Sequence, residues 1–177
     1  MKNPILKWAQ NQLGSASLES KSIRQLIKSF FGKLIQSFAM TRLPIGAKNR
    51  CRLERLRGVK IGKNVFLGGG NILDRVRPDL ITIEDYVSLA GGVNILTHSN
   101  PTLPLREILG PESHIVKPVT IKRGAWIALN VVILPGVTIG ENSIIATNSV
   151  VMNDIPAYTV AGGTPAKILK KIPRTEQ

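Results

Sequence analysis

From Ile121 onward an aliphatic side chain returns at every sixth position: Ile121, Ile127, Ile133, Ile139, Ile145 and Val151, without a miss. Upstream, Ile83, Leu89 and Ile95 keep the same spacing, as do Ile61, Leu67 and Leu73. A period of six fits neither an amphipathic helix, which repeats at about 3.6 residues, nor a half-buried strand, which repeats at two. It does fit a parallel β-helix of triangular section, with one short strand and one inward anchor on each side. Three sides make a coil of roughly 18 residues, and coils stack at the ~4.8 Å spacing of neighbouring strands. Gly136, Gly140, Asn142, Asn148 and Asn153 are placed to turn the corners. The fold class is therefore all-β.

The repeat breaks twice. Between Leu73 and Ile83 the step is ten, so about four residues bulge out near Arg75 to Pro78. Between Ile95 and Ile121 a longer stretch intervenes, punctuated by Pro101, Pro104, Pro111 and Pro118. A loop of that length, here about 99–118, leaving a regular solenoid points to function.

A different pattern precedes the repeat. Ile23, Leu26, Ile27, Phe30, Phe31, Leu34, Ile35 and Phe38 form an apolar stripe at helical period, with Arg24, Lys28 and Lys33 off it. Ser22 with Gln25 fits a capping box, and Pro44 and Gly46 stop the pattern. A weaker helix around Ile5, Trp8 and Leu13 is expected before it. The chain thus divides into a basic helical region, 1–57, and a β-helix domain, 58–177. The stripe is expected to pack against the end of the β-helix, capping its strand edge. A second reading lays residues 22–40 on an anionic membrane surface.

Charge sharpens this division. Residues 1–57 hold 12 basic and 2 acidic side chains, residues 58–177 hold 12 and 9, and the formal net charge is +13. Aromatic residues are 5% of the chain, too few for base-stacking platforms, so no nucleic-acid partner is expected. Cys51 is the single cysteine, which excludes an intramolecular disulfide. The first twenty residues lack a continuous apolar core, and no run reaches the ~18 apolar residues of a membrane span. The expected compartment is the cytoplasm, with the inner membrane face as the place where the basic helix would act.

Several longer stretches carry a resemblance: ILTHSNP at 95–101, KPVTI at 117–121, AWI at 125–127, ILPGVTIGENSIIATNSVV at 133–151 and IPAYTVAGGTPAKILKKI at 155–172. Over roughly 58–172 the chain resembles the hexapeptide-repeat acyltransferases, the group of maltose, galactoside, serine, streptogramin and polysaccharide O-acetyltransferases. The resemblance implies a left-handed β-helix, a short C-terminal helix, a homotrimer with sites between subunits, and acetyl-CoA as co-substrate. His98 stands at the family's catalytic histidine. A neutral imidazole can take the proton of an acceptor hydroxyl as it attacks a thioester.

Gly162, Gly163, Thr164, Pro165 and Lys167 match the family's coenzyme turn, with Lys170, Lys171 and Arg174 as further phosphate partners. Ala128 and Ala146 stand where small residues line the pantetheine channel, and Trp126 matches a tryptophan beside the groove. Asn71 and Asp74 fall where sugar acetyltransferases contact the acceptor, and Arg106 in the loop is a candidate for acceptor or coenzyme. His114, in the same loop, reads as a solvated histidine. The acidic partner that serine acetyltransferases pair with their histidine is not seen.

Zinc-binding carbonic anhydrases of the same fold need three histidines, and this chain has two. No metal is expected. The expected function is acetyl transfer from acetyl-CoA to a hydroxyl of a sugar or cell-surface glycan precursor. A sugar amine or an antibiotic is the alternative acceptor, and a non-catalytic trimeric scaffold is the alternative role.

Overall fold

The computed structural model describes residues 23–40, 45–110 and 113–173, and in its first helix the side chains of residues 30–39. The suggested first helix, Ser22 and Arg174 lie outside the described residues.

The six-residue period folds as a left-handed parallel β-helix. The first coil is β1 (Lys60–Ile61), β2 (Phe66–Leu67) and β3 (Ile72–Leu73). The second is β4 (Ile81–Ile83), β5 (Ser88–Leu89) and β6 (Asn94–Ile95). The third is β7 (Val119–Ile121), β8 (Trp126–Ile127) and β9 (Val132–Ile133). The fourth is β10 (Thr138–Ile139), β11 (Ile144–Ile145) and β12 (Val150–Val151). These strands stack into three faces, β1-β4-β7-β10, β2-β5-β8-β11 and β3-β6-β9-β12, all parallel. Register pairs in the last two coils lie 18 residues apart, as in Ile121 with Ile139. In the first two they lie 22 apart, as in Leu73 with Ile95, because the four-residue bulge intervenes.

The anchors point inward: Leu67, Leu73, Ile83, Leu89, Ile95, Ile121, Ile127, Ile133, Ile139, Ile145 and Val151 are buried, and Ile61 is partly so. A second interior column, which the six-residue anchor pattern does not mark, lies four residues after most anchors. It holds Val87, Val93, Ala125, Val131, Val137, Ser143 and Ser149, all buried. Between the two columns the chain must turn sharply, and the residue three after nine of the twelve anchors has positive φ; Leu73 and Ile95, which precede the interruptions, and Val151 are the exceptions. Gly136, Asn142 and Asn148 do this as expected, joined by Asn64, Gly70, Tyr86, Gly92, Gly124 and Asn130. Gly and Asn suit the left-handed region because the first has no Cβ and the second bonds locally. Gly140 serves differently: a Cβ there would collide with the backbone of Pro156 and Ala157.

The C-terminal segment departs from expectation. Lys167–Lys171 is a strand, β14, not a helix, and it runs antiparallel to β13 (Thr159–Gly162). β13 closes the second face through β11, leaving one row of backbone groups open. The reversal at Gly162–Pro165 returns the chain along that edge and satisfies it, which five helical residues in isolation would not do.

At the other end lie α1 (Ile23–Met40) and α2 (Ala47–Arg57). α2 was not anticipated: its sequence is charge-rich, and its buried side chains are Arg50, Cys51, Glu54 and Arg57. Glu54 and Arg57 form a buried ion pair, and Arg57 also donates to the carbonyls of Leu73 and Asp74. Gly58, left-handed, ends the helix by donating to Arg55 O. α1 packs on α2, and Gln36 Nε2 donates to Leu73 O at 2.9 Å. The cap is therefore built from polar contacts to the first coil. The apolar stripe behaves otherwise than expected: Gln36 and Ala39 are buried, whereas Phe30, Phe31, Leu34 and Phe38 are exposed.

Candidate active site

Both interruptions of the repeat leave the solenoid at the same edge, between the third and first faces. After β3 the chain bulges through Asp74–Arg77 and a 3₁₀ turn, Pro78–Leu80. After β6 it runs through Thr97 and His98 into the long loop. That loop carries α3 (Leu103–Leu109), and its base is closed by an antiparallel bridge from His98 to Val116. Ser99 locks the base from both sides: its N–H donates to Ile115 O, its hydroxyl to Ser113 O, and it accepts from Ile115 N–H.

The bulge brings Asp74 onto His98. Asp74 Oδ2 lies 2.6 Å from His98 Nδ1 and also accepts from the Thr97 N–H and hydroxyl, each at 2.7 Å. Oδ1 accepts from the N–H groups of Val76 and Arg77 at 2.8 and 3.2 Å. The carboxylate side chain is 0% exposed and the histidine side chain 22%. Burial alone would raise the Asp74 carboxyl, but the bonds from Thr97, Val76 and His98 outweigh it and hold the group below the usual carboxylate range. An ionised carboxylate only accepts, so Nδ1 carries a proton toward Asp74, and in the neutral form of the ring Nε2 is the nitrogen with the free lone pair. An imidazole held in this way can act chemically as an oriented general base.

Two sequence expectations change here. An acidic residue does pair with the histidine, and it is Asp74. Asp74 does not face an acceptor, since both of its oxygens are consumed inside the bulge. Asn71 is also buried; its Nδ2 donates to Gly68 O, and its Oδ1 accepts from Val93 N–H, so it holds a corner rather than facing a ligand. Arg106 braces the loop, donating to Pro101 O and Asn100 Oδ1. His114 is half-buried, 3.5 Å from Arg106 rather than standing free in solvent.

The residues expected to meet a coenzyme gather elsewhere, on the second face and its edge toward the third. Trp126, Ile144, Val160 and Lys170 pair in register as one outward column. Ala128, Ala146 and Gly162 follow two residues on as a column of small side chains, and Lys167 pairs with Gly162. A Cβ on Gly162 would come 2.8 Å from the Ala146 Cβ and 3.2 Å from Leu169 Cδ1. Gly163 has φ +102° and donates to Ser149 Oγ, Thr164 donates to Asn148 O, and Ala166 N–H donates to Val150 O. Pro165 and both lysines are exposed. Toward the N-terminus the same edge opens into a cavity of about 390 Å³ lined by the Gly69–Gly70 and Gly91–Gly92 turns, Leu129, Asn130 and Arg50. Arg50 reaches this cavity from α2, which the hydrophobic pattern does not predict. Among the described residues no cluster of His, Cys, Asp or Glu could hold a metal ion, and no helix is long and apolar enough to cross a membrane.

The bacterial transferase hexapeptide (six repeats) pattern matches residues 118–153. The galactoside O-acetyltransferase of Escherichia coli (strain K12) is 39% identical over 98 residues, 52% of this chain and 48% of that protein. The protein named as the colanic acid biosynthesis acetyltransferase WcaF of the same strain is 29% identical over 142 residues, 72% of this chain and 77% of that one. A hexapeptide-repeat acetyltransferase of Vibrio cholerae O1 biovar eltor, solved with acetyl coenzyme A, superposes with a TM-score of 0.61 at 25% identity, covering 88% of this chain and 93% of that one. The chain spans about half the length of several curated relatives it matches.

Proposed function

We propose that this chain, built on the bacterial transferase hexapeptide repeat, is an acetyl-CoA-dependent O-acetyltransferase acting on a sugar or cell-surface glycan precursor. The observation that carries the reading is the 2.6 Å contact between His98 Nδ1 and the buried Asp74 carboxylate. A histidine held in that tautomer is poised to act as a base through Nε2. The galactoside and colanic acid relatives support a carbohydrate acceptor, and the Vibrio structure supports acetyl-CoA as donor.

In the proposed reaction the acceptor hydroxyl attacks the thioester carbonyl carbon while His98 Nε2 takes its proton. The tetrahedral oxyanion then collapses, the C–S bond breaks, and the imidazolium returns the proton to the leaving sulfur. The products are the O-acetyl sugar and free coenzyme thiol. Asp74 is the positioning residue, fixing the tautomer and stabilising the imidazolium. Ala128, Ala146 and Gly162 leave room for a slender pantetheine arm beside Trp126. Gly163 to Pro165 shape the turn, and Lys167 and Lys170 offer charge to phosphates.

On one protomer the imidazole stands at the edge between the third and first faces, and the small-residue column at the edge between the second and third. A closed three-fold assembly would bring one protomer's column against a neighbour's imidazole. The active unit is accordingly a homotrimer with sites between subunits.

The test is an acetyl-CoA titration by calorimetry on wild type and His98→Ala, followed by thiol release with a panel of sugars. Both proteins should bind one acetyl-CoA per chain, and only wild type should release thiol. Absence of binding in both at near-millimolar concentration would defeat the reading in favour of a non-catalytic scaffold.

A further inference from the structure

The outward turn of the α1 stripe needs an explanation that the coil core does not supply. Phe30, Phe31, Leu34 and Phe38 are each between 46% and 58% exposed, while Gln36 and Ala39 face the body. Phe30 and Phe31 stack edge to face at 5.9 Å, so the stripe presents a broad apolar ridge. Large side chains on the solvent side of a helix that already has a polar docking face mark an interaction surface.

Charge identifies the occupant. From Phe30 to Lys63 the described residues include eight basic side chains and one acid, Glu54, which is buried against Arg57. Within that stretch no carboxylate is exposed; Asp79, paired with Arg77, and Asp85, which accepts from the Lys63 N–H, stand at its border. Lys48, Arg52, Arg55, Lys60 and Lys63 are all exposed. Beside the stripe, burial and the nearby charge of Arg75 hold the Lys33 amine below its usual range. A second copy of the same surface would add cation to cation, whereas an anionic lipid headgroup neutralises it.

We propose that the exposed α1 ridge and the surrounding cations form a membrane-docking surface for anionic lipid, seating the N-terminal end of the solenoid on the bilayer. Basic amphipathic helices bind bilayers in this manner, apolar face at the acyl boundary and cations at the headgroups. The proposal is independent of the transferase chemistry, although the trimer of that reading would set three ridges toward one plane and multiply a weak attachment.

The experiment is vesicle flotation of the full-length protein with vesicles of phosphatidylethanolamine and phosphatidylglycerol, and with neutral phosphatidylcholine vesicles as reference. Wild type should float with the anionic vesicles and not with the neutral ones. Phe30→Ser/Phe31→Ser/Leu34→Ser should weaken partition at least tenfold, with unchanged oligomeric mass and an unchanged acetyl-CoA titration. Failure of wild type to float, or flotation of the triple variant equal to wild type, would overturn the proposal. So would a change of oligomeric mass in the variant, which would make the ridge a contact between copies. Flotation lost while acetyl-CoA still binds rejects only the membrane surface, and the converse rejects only the transferase reading.

Discussion

Replacing Asp74 by Asn tests the site at its least replaceable atom pair. The carboxylate accepts five hydrogen bonds, two on Oδ1 and three on Oδ2, and has no exposed surface through which water could substitute. An amide has one accepting oxygen. Turned toward Thr97 and His98, it sets its NH₂ against the N–H groups of Val76 and Arg77. Turned the other way, it sets NH₂ against Thr97 N–H and His98 Nδ1, and the imidazole must move its proton to Nε2. Each buried donor left facing a donor costs about 1–3 kcal/mol, so with two such donors the fold should lose about 2–6 kcal/mol. In the proposed reaction the second rotamer also removes the base, and general-base catalysis contributes roughly 10²–10⁴-fold, or about 2.7–5.5 kcal/mol of barrier.

The assay is thiol release from acetyl-CoA with a galactoside acceptor, alongside calorimetric acetyl-CoA binding and ¹⁵N spectra of the imidazole. The turnover rate should fall by about 10²–10⁴-fold with binding unchanged, and the His98 nitrogens should report a changed tautomer. Because Asp74 acts through His98, Asp74→Asn/His98→Ala should be no slower than His98→Ala alone. A rate within about threefold of wild type with an unmoved tautomer would refute the reasoning. So would multiplicative losses in the double variant. The pH dependence has a definite sign. A carboxyl held below its ordinary range stabilises the fold above the unfolded value near 3.9, and that contribution is lost as pH falls through the folded value. The acid limb of wild-type melting should therefore be steeper than that of Asp74→Asn.

Other substitutions probe the supports of the site. Arg57→Met leaves Glu54 buried without its partner and should cost about 3–5 kcal/mol by denaturant melts. Burial already pushes the Glu54 carboxyl up against the opposing pull of Arg57, so this loss should grow as pH rises above the ordinary carboxylate range. Gly162→Ala drives a methyl against the Ala146 Cβ, which is fixed to backbone, and Leu169, which can swing away. About 1–3 kcal/mol of overpacking and a roughly tenfold weaker acetyl-CoA titration are expected, with Trp126 fluorescence as a second readout. Ile127→Ala, at 0% exposure, should cost about 2–5 kcal/mol without changing acetyl-CoA stoichiometry.

What could be read from the chain, and what could not, follows from how locally each feature is encoded. An anchor every six residues reports its own strand, so the coil, its corners at Gly136, Asn142 and Asn148 and both interruptions were visible in one dimension. The short C-terminal helix that the resemblance implies, and that the helix formers of Lys167–Lys171 would permit, is instead β14. The open edge of β13 that recruits it exists only after folding. α2 hid because its inward residues are Arg50, Glu54 and Arg57, which binary patterning assigns to solvent. The α1 stripe is legible as a helix face, but of its two readings the packing one does not hold for Phe30, Phe31, Leu34 and Phe38, since periodicity shows that a helix has an apolar face and says nothing of what it faces. Asp74 and His98 are 24 residues apart, a separation without meaning until the bulge lengthens that coil to 22. That register places Asp74 beside Leu96, one residue before Thr97, so the pairing follows from the sequence once the bulge is included in the coil length.

A perfectly regular solenoid offers no such pairing. Every coil would repeat the same inward anchors and outward turns, and a residue at one corner would meet only its equivalents above and below. The four-residue bulge breaks that equivalence by letting Asp74 turn inward under Thr97 while its backbone is held from below by Arg57. The longer insertion then begins where His98 can lean back onto the carboxylate, its base tied by Ser99 to Ser113 and Ile115. Two interruptions in successive coils at one edge thus make a dyad that neither makes alone. The N-terminal cap joins the same construction, because Arg57 and Gln36 both donate to Leu73 O, the carbonyl immediately before Asp74. A cap that loosens should release the bulge first and the core last. In Arg57→Met, amide exchange at Val76, Arg77 and Thr97 should accelerate more than exchange at Ile127 and Ile145. Uniform acceleration across all five would mean that the cap stabilises the solenoid as a whole and has no special hold on the site.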